Sequence, residues 1–99
     1  MKILWQLDAW EEYISWQSED KKTLKRINQL IQDISCSFFE GTGKPESLKG
    51  DLKGLWSRRI DEKNRLIYRI KNDDLEIIAC KGHYEKETTS RIKKQQRQN

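Results

Sequence analysis

Near residue 55 the apolar pattern of the chain changes its period, and this change limits the available folds more than any other feature. Between Asp20 and Cys36, Leu24, Ile27, Leu30 or Ile31, and Ile34 recur at three-to-four spacing with Lys or Gln between them, the mark of a helix with one buried face. From Leu55 onward the chain runs as LWSRRI, RLIYRI and LEIIAC, short segments of strand character separated by Asp61 to Asn64 and by Asn72 and Asp73. Helical periodicity first and strand periodicity after it predict an α+β fold.

The rest of the chain fits around these pieces. The opening MKILWQ reads as a short strand. Asp8 and Glu11 resemble a capping pair for a helix through Trp16, along which Leu7, Trp10, Tyr13 or Ile14, and Gln17 form a stripe. Both helical stripes are expected to face the core. Four of the five glycines (Gly41, Gly43, Gly50 and Gly54) and the only proline, Pro45, fall between Cys36 and Leu55, which predicts a structured loop region. Three strands with short connections predict an antiparallel meander. Asn72-Asp73 as a two-residue turn sets Arg69 opposite Glu76, Tyr68 opposite Ile77 and Ile67 opposite Ile78. With Arg59 opposite Arg65, the side chains of Trp56, Leu66, Tyr68, Ile70, Ile77 and Ala79 share a face for the helices. Arg59, Arg65 and Arg69 then point from the other face, near Ser57 and Ile67. The expectation is a single compact domain, two N-terminal helices packed on a twisted, mainly antiparallel sheet.

A chain of 99 residues supports one modest core and not two domains. Hydrophobic residues make up only 34% of it and charged residues 36%, so the four tryptophans carry much of the argument for a packed interior. The net charge of +4 is unevenly placed: Lys86, Arg91, Lys93, Lys94 and Arg97 against Glu85 and Glu87 give residues 85–99 a charge of +3, leaving +1 for residues 1–84. Residues 85–99 hold Ile92 as their single large aliphatic side chain and are expected to be a basic, polar tail, flexible or a solvated helix. Cys36 and Cys80 lie far apart, with His83 the only histidine, a set without metal-ligand spacing; the cysteines are expected to be small buried hydrophobes. No apolar run has signal-peptide or membrane-spanning character. A cytoplasmic protein with reduced thiols is expected.

Cleavage of RNA without a metal needs a base for the 2′-hydroxyl, an acid for the leaving 5′-oxygen and cations for the charge that builds on the phosphate. Glu46 on the Gly-rich loop, with Lys44 and Lys49 nearby, Arg59 and Arg65 on the second sheet face, and the His83-Tyr84 pair contain such a set. As an inventory this is weak, because sixteen acidic and twenty basic residues always offer some Glu and some Arg. The order of whole segments is far more specific. The aromatic start with Trp5, Trp10, Tyr13 and Trp16, the run FEGTGKPESLKGDLKGLWSRRI from Phe39 to Ile60, NRLIYRI from Asn64 to Ile70 and IIACKGHY from Ile77 to Tyr84 resemble the YoeB branch of the RelE toxin family across residues 1–84.

That resemblance implies a RelE-like, microbial ribonuclease-like fold and the toxin of a type II toxin-antitoxin system, an endoribonuclease that cleaves mRNA in the ribosomal A site and so inhibits translation, with no cofactor. It implies Glu46 as general base, His83 as general acid and Arg65 as the phosphate-stabilising arginine. Tyr84 would help to position a base, and Lys44, Lys49 and Arg59 would contact RNA. The implied partners are mRNA, ribosomal RNA, a cognate antitoxin with a disordered acidic segment, and a second copy of the chain. Gly82 is the expected bend that lets His83 and Tyr84 act on one phosphate. Relatives of this branch end near the His-Tyr pair, so residues 85–99 depart from the pattern. The competing readings are a protein of the same fold that binds ribosome or nucleic acid without cutting it, and a toxin directed at another target such as a topoisomerase.

Overall fold

The computed structural model describes residues 1–82. Strand β1 (Ile3–Trp5) leads into helices α1 (Leu7–Glu19) and α2 (Lys21–Cys36); strand β2 (Glu46–Ser47), a turn of 3-10 helix (Gly50–Leu52) and strands β3 (Trp56–Arg59), β4 (Arg65–Lys71) and β5 (Asp74–Ala79) follow. One sheet holds all five strands in the order β1-β5-β4-β3-β2. The meander β3-β4-β5 and the pairing of β2 with β3 are antiparallel, while β1 joins β5 in parallel. No helix among the described residues is long and apolar enough to cross a membrane. The tail expected over residues 85–99, together with His83 and Tyr84, lies outside the described residues.

α2 forms as its periodicity predicts. Asp20 caps it by accepting from the backbone N–H groups of Lys22 and Thr23, two of the donors a helix start leaves without partners. Thr23, Ile27, Leu30 and Ile34 are buried at spacings of four, three and four. α1 departs from expectation in two ways. Its N-cap is Gln6, which makes no side-chain cap bond and whose amide nitrogen donates to Glu76; Asp8 sits in the first turn and serves the helix dipole. The stripe of Leu7, Trp10, Ile14 and Gln17 faces outward, with Leu7 69%, Trp10 43% and Ile14 44% exposed. Ala9 and Trp16 are buried in its place. Small Ala9 allows close approach to β5, where its carbonyl lies 3.5 Å from Cys80 Sγ, and Trp16 Nε1 donates to the Cys80 carbonyl at 3.0 Å. Cys80 is buried as expected, whereas Cys36, at the end of α2, is exposed.

The β4–β5 turn has Asn72 and Asp73 both at positive φ, 54° and 63°, the pair of left-handed residues that a type I′ hairpin needs. The resulting register sets Arg69 against Glu76 and Tyr68 against Ile77, but a bulge follows and Ile67 lies opposite Ala79, not Ile78. The extra residue puts Ala79 on the face away from the helices. There Ile67, Ile78 and Ala79 pack with Leu52 and Leu55 from the loop region, with Leu48 alongside. The helix-side core consists of Ala9 and Trp16 from α1, Ile27, Leu30 and Ile34 from α2, and Ile60, Leu66, Tyr68, Leu75, Ile77 and Cys80 from the sheet region. The second face is therefore not wholly cationic. Its middle is a small core, and Arg69 is paired with Glu76, which leaves the end near Arg59 and Arg65.

Candidate active site

Strand register determines which polar residues can meet. Glu46 is opposite Ser57 across β2–β3, and Arg59 is opposite Arg65 across β3–β4. Ser57 and Arg59 are two residues apart, so side-chain alternation sends Glu46, Arg59 and Arg65 to the same face. Two strand spacings separate Glu46 from Arg65, about 10 Å, and the offset along the strand is about 7 Å. Glu46, Lys44, Lys49 and Arg59 are exposed and Arg65 is half-buried. The ion pairs among the described residues join Arg58 to Asp33, Arg69 to Glu76 and Lys81 to Glu19, so they leave Lys44, Lys49 and Arg59 to meet an anion.

Each of these residues is held by a specific local feature. Lys44 takes a positive φ of 52° as the loop turns toward β2. Before it, Gly43 accepts from Arg59 N at 2.7 Å through its carbonyl; a Cβ there would stand 2.9 Å from Leu30 Cδ2 and 3.2 Å from the Arg59 carbonyl, so only glycine permits this approach. Lys49 directly precedes the 3-10 turn. Arg65 Nη1 donates to the carbonyls of Asp61, Glu62 and Asn64, which anchors one arm of the guanidinium on the β3–β4 turn. The Asp61 carboxyl below that turn lies lower than the usual carboxylate range. Partial burial works to raise it, but hydrogen bonds from the Asn64 side chain and from the Lys63 and Asn64 backbone, with the charge of Arg65, outweigh the burial.

The end of the described chain is also fixed. Cys80 N donates to Glu12 Oε1 at 2.9 Å, and Lys81 Nζ bonds Glu19 at 2.8 Å and lies 4.8 Å from the centre of the Trp16 ring. Gly82 takes a positive φ of 77°, and its carbonyl accepts from Arg65 N at 2.9 Å; the bend expected to bring His83 and Tyr84 together concerns residues outside those described. Of the seven residues singled out in the sequence, Glu46, Arg59 and Arg65 share one face, Lys44 and Lys49 flank Glu46 in sequence, and His83 and Tyr84 are the residues that follow Gly82.

Sequence reasoning overlooked Arg58. Its side chain is fully buried on the helix side, where it donates to Tyr68 Oη at 3.1 Å, to the carbonyls of Ser37, Glu40 and Thr42 at 2.9, 2.8 and 3.0 Å and to Asp33. Tyr68 Oη in turn donates to the Phe38 carbonyl at 2.7 Å. One guanidinium thus ties α2, the sheet and the loop leading to Glu46. The available signal was parity: if Arg59 points to one face, Arg58 must point into the helix-side core.

A five-stranded sheet covered by two helices on one face is an arrangement shared with solved bacterial toxins. The YoeB/ParE toxin from Agrobacterium tumefaciens superposes with a TM-score of 0.83 at 44% identity, covering 85% of this chain and 100% of that one. The toxin chain in the heterotetrameric YoeB-YefM toxin-antitoxin complex from Staphylococcus aureus superposes at 0.79 with 41% identity, covering 85% and 98%. Toxin YoeB of Escherichia coli strain K12 is 50% identical over 84 residues, 85% of this chain and 100% of that protein. The family model for the YoeB-like toxin of bacterial type II toxin-antitoxin systems matches residues 5–84, and the chain belongs to that family.

Proposed function

We propose that this toxin is a ribosome-dependent endoribonuclease that cleaves mRNA in the A site without a metal ion. Glu46 takes the proton from the 2′-hydroxyl, O2′ forms its bond to phosphorus, the bond to O5′ breaks, and His83 in its imidazolium form gives O5′ a proton. The products are a 2′,3′-cyclic phosphate and a 5′-hydroxyl. Arg65 meets the charge that develops on the non-bridging oxygens, Lys44, Lys49 and Arg59 hold the flanking phosphates, and Tyr84 stacks against a base. The observation that carries this reading is the shared face of Glu46, Arg59 and Arg65, next to the Gly82 carbonyl held by Arg65 N.

The same reading assigns the partners. An antitoxin segment rich in acidic residues is suited to cover Arg59, Arg65 and His83, ordering as it binds; the Staphylococcus aureus relative is known in complex with YefM and as a dimer. A second copy of this chain is suited to the exposed apolar side of α1. Residues 85–99, appended to a toxin domain of residues 1–84, add cationic charge for ribosomal RNA.

In vitro translation of a defined mRNA with wild-type protein, Glu46→Ala, Arg65→Ala and His83→Ala, with 5′ ends mapped by primer extension, tests the proposal. Cuts in the A site that need ribosomes and vanish in the three variants are expected. Ribosome binding by the wild type without any cleavage would favour a protein that blocks translation by occupancy alone.

A further inference from the structure

The β3–β4 turn and the end of the described chain meet at Asn64. Its Oδ1 accepts from Gly82 N at 2.8 Å, its Nδ2 donates to both Asp61 oxygens at 3.1 and 3.0 Å, and its carbonyl accepts from Arg65 Nη1 at 3.0 Å. The two Asp61 contacts orient the amide: turned over, it would set Nδ2 against the Gly82 N–H, donor against donor. One residue further on, Arg65 N donates to the Gly82 carbonyl at 2.9 Å. Both polar backbone groups of Gly82 are therefore held by consecutive residues of the turn. The Gly82 carbonyl belongs to the peptide bond through which His83 is attached, and His83 itself lies outside the described residues.

Asn64 is not required to build the turn. Asp61 Oδ1 accepts from Lys63 N at 2.8 Å and Asn64 N at 2.7 Å, an Asx-type arrangement independent of the Asn64 side chain. The chain end is also anchored upstream, where Trp16 and Glu12 bond the Cys80 backbone. What Asn64 adds is alignment between the peptide carrying the proposed acid and the turn on which the Arg65 guanidinium rests.

We propose that Asn64 is a positioning residue for acid catalysis, holding Gly82, to which the proposed acid is joined in sequence, in step with the turn that carries Arg65. This rests on the ribonuclease reading above. It predicts a defect confined to the step in which a proton reaches O5′.

The test uses ribosomes programmed with mRNA in which the scissile linkage carries either the natural 5′-bridging oxygen or sulfur. A thiolate departs without a proton, so acid catalysis no longer limits cleavage. With full-length protein in single-turnover reactions, Asn64→Ala is expected to slow cleavage of the oxygen linkage by about 10- to 100-fold at saturating toxin, with little change in the half-saturating concentration. On the sulfur linkage its rate is expected to approach that of wild type. A wild-type rate for Asn64→Ala on the oxygen linkage, or an undiminished deficit on the sulfur linkage, would overturn the proposal. Failure of the underlying reading has a different signature: wild type leaves both linkages intact, or His83→Ala shows no preference between them.

Discussion

Arg58 and Asp33, twenty-five positions apart, form an ion pair in which the arginine is fully buried and the aspartate side chain remains one-third exposed. The asymmetry is informative. The arginine has left water entirely, and its donors are taken up by backbone carbonyls, a phenol and the carboxylate. The aspartate needs less help because solvent reaches it, and it also accepts from Thr42 N at 2.8 Å. The pair therefore acts chiefly as an anchor for the loop from Ser37 to Thr42, which delivers Gly43, Lys44 and Glu46 to the edge of the sheet.

Arg58→Met is expected to lower the unfolding free energy by about 3–5 kcal/mol, because Asp33 and several carbonyls lose their donor together. Arg58→Lys is expected to recover only part of this, since an ammonium lacks the planar fork that reaches Asp33 and the loop carbonyls at once. Urea denaturation of purified protein measures both. A methionine variant as stable as wild type would show that the loop does not depend on the anchor.

The same pair predicts a dependence on pH. The Thr42 backbone N–H, followed by the Arg58 guanidinium, holds the Asp33 carboxyl below its ordinary value. An unfolded chain returns it to about 3.9. Because the folded value is the lower one, the contribution is complete above that pH and is lost as pH falls through the folded value, when the unfolded state binds the proton first. Asp61 and Glu76, also lowered, act in the same direction. Wild type is therefore expected to lose stability below about pH 4, and its advantage over Asp33→Asn, present at pH 7, is expected to narrow there. Denaturant midpoints at pH 7, 5, 4 and 3 read the difference directly; a gap that stays constant with pH would assign the stabilisation to packing.

Some of this architecture could be read from the chain and some could not, for physical reasons. α2 was legible because its apolar residues occupy one face, and the β4–β5 turn because Asn-Asp tolerates left-handed backbone. The gathering of Glu46, Arg59 and Arg65 was partly legible, since opposition of Arg59 and Arg65 follows from hairpin register once the turn is set. The buried face of α1 was not: Leu7, Trp10, Tyr13, Ile14 and Trp16 are spread around the helix, and the choice among them depends on the close contact of Ala9 with Cys80, a long-range fact. Nor was the bulge at Ile78, because alternation alone predicts an unbroken ladder and the Leu52–Leu55 cover over that face appears only in three dimensions. Arg58 and the link from Asn64 to Gly82 escaped notice for the same reason, as the partners of Arg58 and Gly82 itself lie ten or more residues away in the chain.

The exposed side of α1 leads to a prediction about association. Leu7, Trp10 and Ile14, with Ile3 and Leu4 of the edge strand β1 and Met1 beside it, are large apolar side chains in solvent. Trp10 packs on Trp5 and Tyr13 within the monomer, whereas Leu7 is 69% exposed, so Leu7→Glu with Ile14→Lys is expected to shift the proposed dimer toward monomer while leaving helix content unchanged. Sedimentation velocity across a concentration series, with circular dichroism as the control, checks this. A double variant that sediments as wild type would direct the proposed self-association to another face.

The basic character of residues 85–99 yields the last prediction, which is electrostatic and needs no assumption about their conformation. Five cations against two acids beside a body of near-neutral charge suit a proposed role in binding ribosomal RNA through phosphates, and such contacts release counterions. Each phosphate contact contributes about 0.7 to 0.9 to the slope of log affinity against log salt. Deleting Glu85 to Asn99 is therefore expected to weaken ribosome binding most at low salt and to flatten that slope, while leaving the ordering of the Glu46, Arg65 and His83 variants unchanged at saturating toxin. The two proposed roles can be separated because ion release by the tail depends on salt, whereas the role proposed for the face between β2 and β4 rests on the geometry of one phosphate. An unchanged slope after deletion would mean that residues 85–99 make no net contribution to binding, and that the affinity resides in Lys44, Lys49, Arg59 and their neighbours.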